Sequence, residues 1–165
     1  MGISMVMKKL AEELSVHLGL LRELHELLER ESRELADMKL DAMAEINDLK
    51  EELSQRIKEH AVSLRQAISS AAAREGLSAT ATLGAVAAAV KSNQDIPRLH
   101  RDLNQVAERI RQRLAMNGEI AERFAASVKN SLDLLSRVIN QSNIYGASGG
   151  YQQRPTGSVM INREA

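Results

Sequence analysis

The chain has no cysteine and no tryptophan, and only one phenylalanine, two tyrosines and two prolines in 165 residues. Without cysteine, disulfides and thiol-based metal or redox chemistry are excluded, and a reducing compartment is compatible with what remains. With so few rings, the interior must be built from Leu, Ala, Ile, Val and Met, which suits helices lying close together along their length. Charge of one sign is also missing: Lys plus Arg and Asp plus Glu number 22 each, and the pI is near 6.9. A nucleic-acid binder usually carries a basic excess or a concentrated basic face. Arg109, Arg111 and Arg113 advance in steps of two, which scatters them around a helix beside Glu108. They read as a solvated face, and no nucleic-acid partner is expected. Long hydrophobic runs are absent too. Lys8, Lys9, Glu12 and Glu13 arrive before any apolar core of signal-peptide length. Gly2 does not open a myristoylation signal, because Val6 stands where Ser or Thr belongs. The most apolar run, Leu83 to Val90, is too short to cross a bilayer. A soluble chain without stable membrane insertion is expected.

What the chain does have is helical periodicity. From Pro97 to Asn143, apolar residues recur in steps of three and four: Leu99, Leu103, Val106, Ile110, Leu114, then Asn117, Ala121, Phe124, Val128, Leu132, Leu135 and Ile139. That is one face of a helix and not the alternation of a strand. Only Gly118 interrupts it. A helix this long would span roughly 70 Å, so an elongated architecture is expected, with other helices long enough to cover this face.

Leu14, Leu21, Leu28 and Leu35 repeat every seven residues in a first helix running from near Ser4 into the mid-thirties. Leu10 and Leu24 occupy a second seam, but His17 and Glu31 fall in it as well. Polar residues at alternate seam positions suit a bundle helix with shifting neighbours better than a two-stranded coiled coil. Leu18, Leu20 and Leu27 widen the stripe toward a second partner. Glu26–Arg30, Glu29–Arg33 and Glu52–Arg56 have the favourable i,i+4 order. A break is expected between Ala36 and Asp41, with Asp37 or Asp41 as N-cap. A second helix then carries Ile46, Leu49, Leu53, Ile57, Ala61, Leu64, Ile68 and Ala71 and stops at Gly76. Ser78 is expected to cap a short third helix reaching Val90, whose small residues allow close packing. Asp95 is expected to cap the last helix and Pro97 to open it. The fold class is therefore all-α: an elongated antiparallel bundle of three long helices and one short one, occupying residues 1–143. Residues 144–165, rich in Gly with Tyr145 and Tyr151, are expected to form a flexible tail. Tyr145 could anchor a partner or staple back onto the bundle. Monomer and domain-swapped homodimer both remain compatible.

None of His17, His25, His60 and His100 has an acidic residue three positions before it, so the Glu-x-x-His pattern of di-iron bundles fails. Glu13 with His17 reads as a boundary contact and no metal is expected. There is no phosphate-binding Gly-rich loop, and no serine stands in the setting of a nucleophile. No cofactor and no enzymatic activity are expected.

The order of features resembles the FlgN-type flagellar export chaperones. The matching residues begin at Leu27-Leu28-Glu29-Arg30-Glu31, continue through Ile46-Asn47-Asp48-Leu49-Lys50 to Arg65, and take in Gly76-Leu77-Ser78, Pro97, Asn117, Tyr145-Gly146 and Gly149. One departure is Arg113, where the family tends to repeat Asn before Asn117, so a shared polar-core role for that pair is not expected. The resemblance implies a cytoplasmic chaperone for the hook-associated proteins of the hook–filament junction, FlgK and FlgL, which delivers them to the flagellar type III export apparatus. It further implies that Tyr145, with Tyr151 as fallback, contacts the cytoplasmic domain of the export gate. The end of the last helix is apolar around more than one face, at Val128, Leu132, Leu134, Leu135, Val138 and Ile139. These side chains either lie between two bundle neighbours or receive the client helix. A structural coiled-coil or assembly adaptor without a transport role is the alternative.

Overall fold

The computed structural model describes residues 2–142, with side chains from 5 to 139. Helix α1 spans Gly2–Ala36, α2 Leu40–Arg74, α3 Leu83–Ala89 and α4 Asp95–Ser142, with no strand among the described residues. The chain is all-α, with three long helices of 35, 35 and 48 residues and one of seven. Contacts divide it into two units, Met1–Ala121 and Glu122–Ala165. The domain boundary expected at 143/144 falls where the described residues end, and the segment 144–165 with Tyr145 and Tyr151 lies outside them.

In the first unit, side-chain pairs fix the directions. Glu13 meets His60, Glu23 meets Arg56 and Arg30 meets Glu45, so α1 and α2 form an antiparallel hairpin. Arg22, His25 and Glu26 line a groove with Asp102, Val106 and Arg109, and Glu29 pairs with Arg113 further along, so α4 returns parallel to α1. One hydrophobic core joins Leu10, Leu14 and Leu28 of α1, Leu64, Ala67 and Ala71 of α2, Val86 and Val90 at α3, and Ile96, Leu99, Leu103, Val106 and Ile110 of α4. Removing a buried leucine such as Leu14 from packing of this kind costs about 2–5 kcal/mol. Arg30 and Arg56, expected to pair along their own helices, reach across the hairpin instead.

The exits of α1 and α2 are built the same way. After Arg74, the amide of Gly76 bonds Ala73 O and that of Leu77 bonds Ala72 O, with Gly76 at φ +72°. This is the Schellman closure expected at Gly76. After Ala36, Met38 N–H bonds Leu35 O and Lys39 N–H bonds Glu34 O, with Met38 at φ +55°. The same closure therefore operates where neither glycine nor proline announces it, at a cost of about 1–2 kcal/mol for a left-handed residue with a Cβ. The expected side-chain cap there is absent. Lys39 holds the N-cap position of α2 without a side-chain hydrogen bond, and Asp41 lies in the first turn, facing the helix dipole. Two other caps are also displaced. Thr82 Oγ1, not Ser78, accepts from the amide of Ala85 at the start of α3, while Ser78 organises the preceding turn through Thr80. Asn93 Oδ1 accepts from the Asp95 amide before α4, and Asp95 itself binds Arg98.

Candidate partner-binding surface

The apolar face of α4 is covered only in its first half. Ile96, Leu99, Leu103, Val106 and Ile110 are buried, whereas Leu114 is 49% exposed. Asn117 is the last buried residue on this face, at 4%. Its Nδ2 donates to Leu28 O at 3.0 Å and to Glu31 Oε2 at 2.8 Å, and its Oδ1 accepts from Ser32 Oγ. Glu31 Oε1 accepts in turn from Lys50 Nζ of α2. Glu31, the polar residue in the heptad seam, is thus the centre of a polar tie joining α1, α2 and α4. Arg113 stays outside it and pairs with Glu29 instead. The coverage expected for the whole face of α4 therefore stops at Asn117. The physical reason is register: Asn117 lies opposite Leu28 to Ser32, and α1 ends one turn later at Ala36.

In the second unit, the side chains of residues 122–139 are exposed except for the half-buried Phe124. The residues singled out from sequence are all among the exposed ones: Val128 42%, Leu132 58%, Leu134 63%, Leu135 54%, Val138 53% and Ile139 51%. At 100° per residue they fall on one stripe roughly 160° wide, with Lys129, Asp133 and Arg137 on the opposite face. A core-facing helix of a globular protein has an apolar stripe of this kind. Here it faces solvent, and α4 provides no bound core of its own. Arg123, Ala126, Ser127, Asn130, Ser131 and Leu134 line a shallow depression beside it.

The other half of the hairpin carries chemistry of a different kind. His60 Nε2 lies 2.8 Å from Glu13 Oε2, and His60 Nδ1 lies 3.2 Å from His17 Nδ1. Glu13 therefore engages His60 and not its i+4 neighbour His17. The ring centroids are 5.4 Å apart, near the largest separation that this Nδ1–Nδ1 distance permits, so the rings meet edge to edge. Two nitrogens aimed at one another 3.2 Å apart leave no room for an ion between them, since each metal–nitrogen bond needs about 2.0–2.1 Å. Among the described residues no group of three or more His, Asp or Glu side chains is arranged to hold a metal. Burial, followed by the proximity of His60, lowers the pKa of His17 below the usual histidine value. No helix among the described residues is long and apolar enough to cross a membrane.

The fold and surface define a class: an all-helical protein whose four helices share one packed core and whose last helix displays an exposed apolar face of core type. The chain belongs to the FlgN protein family, whose model matches residues 5–153, and family membership points to a role in flagellar export as a chaperone. No curated protein and no solved structure matches it significantly.

Proposed function

We propose that this chain is a cytoplasmic export chaperone that binds unassembled hook–filament junction subunits of the FlgK and FlgL type. It keeps them from assembling prematurely and delivers them to the flagellar type III export apparatus. The observation that carries this reading is the exposed stripe from Val128 to Ile139. Junction subunits have terminal segments that pair as helices only in the assembled filament, and unpaired apolar stripes favour aggregation. A client helix laid along α4 would bury both stripes without any need for ATP. Each half-exposed Leu or Val gains about 1 kcal/mol on full burial, roughly half the value for transfer from full exposure. The role of the cytoplasmic gate domain as second partner, with Tyr145 as its contact and Tyr151 as fallback, rests on the family resemblance alone.

The test is titration calorimetry of the full chain with the terminal helical segment of a hook–filament junction protein from the same organism. Saturable one-to-one binding is expected. Leu134→Asp with Val138→Asp should abolish it while circular dichroism keeps its helical signal, and Leu40→Asp, at another exposed site, should leave it unchanged. No binding by a folded sample, or a collapse of helicity in the double variant, overturns the assignment of this surface. The exposed stripe also suits a second copy of the chain, as in the assembly-adaptor reading. Sedimentation of the chain alone separates the two, because tight self-association that the same double variant dissolves favours the adaptor.

A further inference from the structure

The Glu13–His60–His17 row lies across the α1–α2 hairpin, and the export role makes no use of it. Its hydrogen bonds constrain its protons. His60 Nε2 must carry a proton to donate to Glu13, which leaves Nδ1 of His60 facing Nδ1 of His17 at 3.2 Å. One of these two nitrogens must donate and the other accept. With both rings neutral, His17 Nδ1–H donates to His60 Nδ1. With one added proton the contact survives in either direction: His60 becomes the cation and donates to a neutral His17, or the reverse. With two added protons, two N–H groups point at each other and two cations meet at the same place. Among the described residues Glu13 is the one carboxylate in ion-pair contact with the pair. Arg56, one turn from His60 on α2, is engaged by Glu23, α3 carries no charged residue, and no ion pair joins α4 to either ring among the described residues. Glu13 can balance one of the two charges. The side chains of His60 and Glu13 are only 15% and 20% exposed, so water screens the remaining repulsion poorly.

We propose that Glu13, His60 and His17 form a proton-operated latch on the α1–α2 hairpin, which stays closed with up to one added proton and opens when both imidazoles are charged. The lowered pKa of His17 fits this geometry. The sign follows from that direction: the folded state binds a proton at His17 less readily than the unfolded chain does. The latch's contribution is therefore complete above the ordinary histidine pKa of about 6.5 and declines as the pH falls through the interval below it. One such proton changes the folding equilibrium constant by at most about tenfold per pH unit.

Long-range proton–nitrogen NMR of the full chain, titrated from about pH 8 to pH 5 and so above most of the carboxylate range, reads the latch directly. His17 is expected to take up its proton below the ordinary histidine range, and its contact with His60 to be lost only once both rings carry an added proton. His17→Gln keeps an acceptor toward His60 but cannot be protonated. It should remove the acid-side fall in melting temperature. Protonation of His17 at or above the ordinary histidine range in the wild-type chain, or parallel pH–stability profiles for wild type and variant, overturns the latch. If His17→Gln does not fold, the wild-type titration decides alone.

Discussion

Asn117 shows how much one polar side chain can organise. Both of its N–H groups and its carbonyl are used, and they tie the last covered turn of α4 to α1, while Glu31 extends the tie to Lys50 of α2. Buried polar groups of this kind select one register among several that a leucine-rich interface would accept, because any slip strands them without partners. Asn117→Ala leaves Glu31 Oε2 short of a donor, while the Leu28 carbonyl keeps Ser32 Oγ, and should cost about 1–3 kcal/mol in urea unfolding. A cost below about 0.5 kcal/mol would mean that water replaces the amide fully. Asn117 was legible in the sequence as a member of the α4 face, but its partners were not. Glu31 and His17 were visible as polar interruptions of the heptad seam, and what they interrupt it for depends on side chains 86 and 43 positions away.

At the scale of the element, α4 runs without a break through Gly118, which is exposed and whose added Cβ would meet nothing within 4 Å. Glycine in a helix interior costs roughly 0.5–1 kcal/mol relative to alanine through backbone entropy. Gly118→Ala should therefore stabilise the chain by about that amount, seen as a melting temperature a few degrees higher. No change would indicate that this position is not helical in solution. Helix existence and length were legible here because a 3.6-residue apolar period sustained over so many turns has no other solution. The ends were less so. Gly76 announced its closure, whereas the equivalent closure at Met38 rests on backbone hydrogen bonds that a methionine makes at a conformational cost.

For the whole molecule, the two partners of the proposed role call on different parts of the chain, so their losses should separate. Tyr145→Ala is expected to leave client affinity intact while weakening binding to the cytoplasmic domain of the export gate by about 1–3 kcal/mol, a common effect for an anchoring tyrosine. Surface plasmon resonance with client and gate measured side by side checks this. Equal gate affinity in the variant removes Tyr145 from the account and passes the role to Tyr151.

The sequence by itself determined that the chain is all-α, the existence and order of its four helices, the stop at Gly76, and the family, because periodicity and ordered local motifs depend only on neighbours along the chain. Only the tertiary structure decided which apolar positions are core and which are surface. Leu103 and Leu132 stand on the same face of the same helix, yet one is buried and the other 58% exposed. Nothing local distinguishes them. What does is whether other side chains cover the position, and within the first unit that cover ends at Asn117, opposite the last turns of α1.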